Sequence, residues 1–207
     1  MRLVKYTHAC VRLERDGAVL VIDPGTFSER TALDGADAVL VTHEHYDHLD
    51  ADALRAACAA DPALRVYTHA DLAGQLTDLP VTTVAVGEEF EAAGFAVRAF
   101  GGRHAEIYDG LPGIANVGYL VADAVYHPGD SFAVPDVPVR ALLVPISAPW
   151  LKLAESIDLV RAVKPELAIP IHDALLSEPG VASADNWLTT QGRADYHRLA
   201  PGEAMEI

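Results

Sequence analysis

THEHYDHLD, Thr42 to Asp50, sets three histidines and an aspartate (His43, His45, Asp47 and His48) within six positions, directly after the apolar run DAVLV. A short continuous apolar run of this kind predicts a strand buried on both faces. The stretch that follows, DADALRAACAADPALR, predicts a helix with Asp50 or Asp52 as N-cap and Pro62 at its end. The cluster therefore lies at a strand–loop–helix junction, where strand ends deliver functional groups. A helix cannot gather it. The letters begin as H-E-x-x-H, but position 47 is Asp, and on a helix His45 points away from His43 and Asp47. In an extended segment His43, His45 and Asp47 share one side, and His48 marks a turn. A solvated polar loop has no need of this composition, whereas metal ligation is the ordinary reason for dense imidazole and carboxylate. Adjacent Asp47 and His48 point in different directions, which suits two metals better than one.

Further ligands must then come from elsewhere. His104 in GGRHAEI, Asp130 in YHPGDSF and His172 in AIPIHDA each stand at a strand-to-loop transition. Around them the chain reads as alternating elements. RLVKY is a strand, and ACVRLERDGAVLVID is a hairpin turning at Asp16-Gly17. RVYTH and VTTVAV are strands on either side of a helix, ADLAGQLTDL. EEFEAAGFAVRAFGG is a hairpin, and RHAEIYDGLPGIANVG a loop leading into YLVADAVYHPGD. VRALLVPI and ELAIPIH are strands flanking the helix KLAESIDLVRAVK, and SADNWLTTQGRA is a last helix capped by Ser183. Each half runs strands first and helices later, which predicts two packed sheets with helices outside. With 207 residues and no linker or repeat, residues 1–207 are expected to form one domain.

Composition narrows the function. Fifteen basic residues against 30 acidic ones give −15, and no Lys/Arg cluster offsets it, so nucleic acid is not an expected partner. The N-terminus has no apolar core of a signal peptide, and no run is long enough to span a bilayer, so a cytoplasmic protein with no membrane partner is expected. Cys10 and Cys58 sit in apolar contexts, as reduced thiols do.

The series His43-x-His45-x-Asp47-His48, then His104, Asp130 and His172, resembles the metallo-β-lactamase superfamily of binuclear metal hydrolases. The match runs from VIDPG to PIHDA. GGRHAEI lacks the Gly-His-Thr-x-Gly-type surroundings of glyoxalase II, while the opening THACVRLERDGAVLVIDPG is similar to the branch containing ascorbate-6-phosphate lactonase. The resemblance implies an α/β fold, a four-layer αββα sandwich with metals in the cleft at the sheet edges. It implies that His43, His45 and His104 hold a first divalent ion, that Asp47, His48 and His172 hold a second, and that Asp130 bridges them. Zinc is the expected metal, with manganese or iron(II) as alternatives. Asp47 is also the expected catalytic residue, orienting a metal-bridging hydroxide that attacks a small-molecule ester, lactone or phosphodiester. Two other readings stand beside this one: a mononuclear iron redox enzyme of the same fold, like persulfide dioxygenase, and a non-catalytic metal-binding protein. The full second set, Asp47, His48 and His172, favours two metals.

Several residues have two readings. Asp23, before Pro24, either accepts the second N–H of a ligand histidine or starts a turn. His8 lines the cleft or is a hydrogen-bonded structural histidine, and His127 is structural. His69 and His197 are expected at the surface. Trp150 is a pocket wall or a core anchor. Arg103 and Lys152 either grip an anionic group of the substrate or are solvated. Tyr46 either contacts substrate or packs on the loop. Oligomeric state is open.

Overall fold

The structure is a computed structural model that describes residues 1–111 and 113–207; Pro112, inside the expected loop, lies outside the described residues. The chain opens with an antiparallel meander, β1 (Arg2–Lys5), β2 (Val11–Arg15) and β3 (Ala18–Ile22). Asp16 and Gly17 turn the expected hairpin at φ 54° and 86°, the left-handed pair a two-residue hairpin loop needs. Then β4 (Ala38–Leu40), α1 (Ala51–Ala60), β5 (Arg65–Thr68), α2 (Ala70–Ala73) and β6 (Val81–Thr83) extend the sheet in parallel.

The second half repeats the logic. The antiparallel strands β7 (Glu89–Ala92), β8 (Phe95–Gly101), β9 (Val117–Val121) and β10 (Val125–His127) come first. A parallel run follows: β11 (Ala141–Pro145), α3 (Leu153–Val163), β12 (Leu167–Ile171), α4 (Glu178–Gln191) and β13 (Asp195–Tyr196). The last strand, β14 (Ala204–Glu206), crosses back to pair with β1. The sheet orders are β14-β1-β2-β3-β4-β5-β6 and β13-β12-β11-β10-β9-β8-β7.

Strand periodicity explains the layers. In β3 and β4, Leu20, Ile22, Ala38 and Leu40 face the second sheet and meet Phe95, Tyr119, Leu143 and Ile169. The alternate residues Val19, Val21 and Val39 face outward onto Leu49, Ala53 and Leu54 beside and in α1. On the far side, Leu120, Leu142 and Val144 pack against Leu159 and Val160 of α3 and Ala184 and Leu188 of α4. Both faces of each central strand are thus covered, which is why they read as unbroken apolar runs. Helix, sheet, sheet and helix stack in the expected αββα order.

Three elements depart from expectation. ADLAGQLTDL makes a single helical turn, ended by Gly74, and VTTVAV contributes only Val81–Thr83 as strand. Helix α4 is not capped by Ser183. It starts at Glu178, where Ser177 Oγ accepts the Gly180 N–H and Pro179 sits in the first turn.

Candidate metal centre

The cluster leaves the C-terminal end of β4, and the other candidates leave strand ends at the same edge of the sandwich. His104 follows β8 through Gly101 and Gly102, whose φ values of 89° and 127° suit glycine. Asp130 follows β10 through Gly129, where a Cβ would stand 2.3 Å from Asn116 Oδ1. Asn116 in turn accepts the Asp130 N–H at 3.0 Å and donates to Pro128 O at 2.9 Å. His172 follows β12 at φ 59°.

All seven expected residues meet, in two groups. His43, His45, His104 and Asp130 form one; Asp47, His48 and His172 form the other together with His8, which the sequence left between lining the cleft and a structural role. In each group one donor atom per residue lies within 4.8 Å of the others. The extended reading of residues 43–47 is corrected here. His43 and His45 face one group and Asp47 the other, because the chain already turns at His45, whose carbonyl accepts the N–H groups of His48 and Leu49 at 2.9 Å. Gly25 lets its loop approach: a Cβ there would lie 1.9 Å from Asp47 O.

The protons can be placed. His104 Nδ1 donates to Ala105 O and His172 Nδ1 to Ser147 O, at 2.5 and 2.6 Å. His48 Nδ1 donates to Asp23 Oδ2 at 2.6 Å. Thr42 Oγ1 gives its own proton to Asp23 Oδ2, so it accepts from His43 Nδ1 at 2.9 Å. His43, His104 and His172 therefore turn an Nε2 lone pair inward, and the His48 Nε2 points inward beside them. His48, His104 and His172 Nε2, with Asp130 Oδ1, are buried and have no hydrogen-bond partner among the described residues.

These inward atoms crowd together. Asp130 lies 3.0 Å from His48 Nε2, 3.2 Å from both His104 and His172, and 3.8 Å from His43. His43 Nε2 and His45 Nδ1 are 3.1 Å apart. Lone pairs and carboxylate oxygens repel at such distances unless positive charge lies among them. Two nitrogens on one tetrahedral zinc, each ~2.0–2.1 Å from the metal, stand about 3.3 Å apart, so these spacings fit a cation. The imidazole and carboxylate donors suit zinc, manganese or iron.

Electrostatics agree. Burial, then the neighbouring His48, pushes His43 well below the ordinary histidine range. Burial would also lower His48, but Asp130 and Asp23 on either side hold it well above. Burial would raise Asp130, but the neighbouring His48 pulls it well below the carboxylate range. Burial likewise opposes ionisation of Asp47, but the His8 hydrogen bond and nearby His48 and His172 bring it to about 2.

The surroundings answer most open readings. Asp23 is fully buried and holds both His48 and Thr42. His127 donates to Ala9 O at 2.8 Å and accepts the Gly129 N–H, away from the inward atoms. Trp150 is buried, and its indole N–H donates to Asp130 Oδ2 at 2.9 Å. His197 is exposed, but His69 is not: it is 5 % exposed and caps α2, its Nδ1 accepting the Leu72 N–H. Arg103 and Lys152 are exposed, and Tyr46 is 63 % exposed with its ring edge against Phe27. A cavity of about 340 Å³ opens beside His45 and His104, lined also by Arg103, Glu106, Ile107 and Leu111.

Comparison with known proteins gives concordant matches. A family model described as Beta-lactamase superfamily domain matches residues 2–172. Protein Rv0786c of Mycobacterium tuberculosis is 37 % identical over 211 residues, covering 99 % of each chain. A UPF0173 metal-dependent hydrolase of Aeropyrum pernix is 27 % identical, covering 100 % of this chain and 97 % of its own. Among solved structures, Igni18, a metallo hydrolase of Ignicoccus hospitalis, superposes with TM-score 0.76 at 21 % identity, over 100 % of this chain and 98 % of its own.

Proposed function

The chain belongs to the metallo-β-lactamase superfamily, and on that footing we propose that it is a binuclear metal-dependent hydrolase of a small-molecule ester, lactone or phosphodiester. His43, His45 and His104 would hold one ion, Asp47, His48 and His172 the other, and Asp130 would bridge, with zinc the expected metal. The observation that carries this reading is the crowding of the buried, inward-facing Nε2 atoms of His48, His104 and His172 on Asp130. When bound, the ions would supply a water acidic enough to ionise near neutral pH and positive charge for a developing oxyanion.

The chain's own residues would do the rest. Asp130 is 2 % exposed at its side chain, whereas Asp47 is 15 % exposed, so Asp47 is the carboxylate a substrate can reach. It stays ionised and takes the proton of the attacking water, then returns it to the leaving group. The cavity beside His45 and His104 has the size of a small-molecule site. Arg103 at its wall would meet an anionic group of the substrate. A net charge of −15 argues against nucleic acid. The finer resemblance of the opening stretch to ascorbate-6-phosphate lactonase places lactones first among substrates to test. The same reading makes residues 1–207 one domain.

Elemental analysis of the purified protein and of His172→Ala tests this proposal. Two equivalents of zinc or manganese per chain, falling to about one in the variant, are expected. One equivalent of iron, unchanged by the substitution, would favour redox chemistry and sink the binuclear hydrolase.

A further inference from the structure

His8 stands in the second group as though it were a fourth ligand, its ring within 4.0 Å of the His172 ring, centroid to centroid. Its proton is on the wrong nitrogen for that role. The Ala174 N–H donates to His8 Nδ1 at 3.3 Å, so Nδ1 offers a lone pair and the ring hydrogen is on Nε2. That Nε2–H faces Asp47 Oδ2 at 3.1 Å. His104 and His172 have the opposite tautomer, proton outward on a carbonyl and lone pair inward. The group thus divides by tautomer into inward acceptors and one inward donor.

The position of His8 is over-determined. Its backbone is left-handed at φ 67° and its side chain fully buried. Its carbonyl accepts the His172 N–H at 3.2 Å and a bond from Lys5 Nζ at 2.7 Å. Lys5 is itself 2 % exposed, also donates to Tyr6 O, and faces Asp173 Oδ1 at 3.9 Å. The His8 ring edge rests on Phe27 at 5.2 Å. A buried lysine spent on two loop carbonyls is costly unless the loop must be held. Here it ties the loop that carries His8 to the loop that carries His172.

We propose that His8 is a positioning residue for Asp47, not a metal ligand: its Nε2–H fixes the carboxylate's orientation, and Lys5 and the Ala174 N–H fix His8. The role as a support for a metal ligand rests on the binuclear reading; the tautomer does not.

Two measurements test it. In metal-free protein, two-bond proton–nitrogen correlation spectra report which ring nitrogen carries hydrogen. His8 is expected as the Nε2–H form and His104 and His172 as Nδ1–H forms; hydrogen on His8 Nδ1 overturns the proposal whatever the metal content. Cobalt(II) titration, following the visible absorption bands, then compares wild type, His8→Gln and His8→Leu. Glutamine places an amide N–H near the imidazole Nε2 but is a poor ligand. His8→Gln is expected to keep both equivalents, the second within about threefold of wild-type affinity, with an unchanged spectrum. His8→Leu is expected to keep the first equivalent, which certifies folding, and to weaken the second about 10–100-fold. Loss of the second equivalent in both variants would make His8 a ligand, and wild-type binding in His8→Leu would make it a bystander. A wild type that takes only one equivalent would count against the binuclear reading and, with no second ion for Asp47 to hold, against His8's supporting role.

Discussion

One indole N–H holds the carboxylate that both donor groups face. Trp150 Nε1 lies 2.9 Å from Asp130 Oδ2, and its ring stands edge-on to those of His104 and His172 at 5.7 and 5.9 Å. The Asp130 backbone is fixed by its own N–H on Asn116 and by its carbonyl, which accepts the Ala105 N–H at 2.7 Å, and the indole adds a bond that orients the carboxylate. Trp150→Phe keeps most of the packing and deletes the donor. It is expected to lower metal affinity about 10–100-fold and stability by about 2 kcal/mol, as read by metal titration and by urea unfolding of the metal-free form. Unchanged metal affinity would reduce Trp150 to a core anchor. Residues of this kind are the least legible in sequence. His43 to His48 announce themselves by crowding four ionisable side chains into one short loop. Trp150 and His8 do not, because their contacts are made by chain far away, with Asp130 in one case and Asp47 and Ala174 in the other. His69 misleads for a different reason: its ring caps the turn that follows it by accepting the Leu72 N–H, at a position where Ser, Thr, Asp or Asn is the usual choice.

At the scale of elements, hydrophobic period is the readable signal, and where it is strong the elements follow it. The unbroken runs of β4, β11 and β12 are buried on both faces, as central parallel strands are. The helix α4 shows where the signal weakens. Its buried residues, Ala184 and Leu188, both follow Ser183, so Ser183 looks like the start, while the earlier turn is set by Ser177 and Pro179. What pins that helix is electrostatic. Asp185 accepts from Arg198 at 2.7 to 3.1 Å and from Tyr196 Oη at 2.6 Å, joining α4 to the strand that follows it. Burial works to raise the Asp185 pKa, but bonds from Arg198 and Tyr196 outweigh it and draw it below the usual carboxylate range. A carboxylate depressed in the folded state adds stability above its unfolded pKa of about 3.9, and that gain is lost as pH falls through the folded value. Asp185→Asn is therefore expected to cost about 1 kcal/mol at pH 7, a figure kept small because the pair is partly solvated. The difference from wild type should shrink as pH drops below about 4. Urea midpoints at neutral and acid pH check this; an equal deficit at both would mean the bond works without its charge.

The donors come from both halves of the molecule. His43, His45, Asp47 and His48 hang from the first sheet, and His104, Asp130 and His172 from the second. Between the sheets the contact is apolar, Leu3, Leu13, Leu20 and Leu40 against Phe95, Tyr119, Leu143 and Ile169, so at the site edge a shared cation would be a cross-link of a different kind. Fifteen excess negative charges also make the metal-free chain repel itself, and each dication relieves part of that. Each ion that binds only the folded arrangement stabilises it by about 4 kcal/mol at a thousand times its dissociation constant. For a chain of this size two such ions raise Tm by roughly 20 °C. Chelation should lower Tm by that amount and zinc should restore it, with His172→Ala recovering only part. The proposal that residues 1–207 form one domain adds a sharper demand. Because one apolar core joins the sheets, far-ultraviolet dichroism and tryptophan fluorescence should report one coincident transition with metal and without it. Two transitions, only one of which moves with zinc, would mean that one half folds by itself and that the donors meet across an interface the apolar core does not hold.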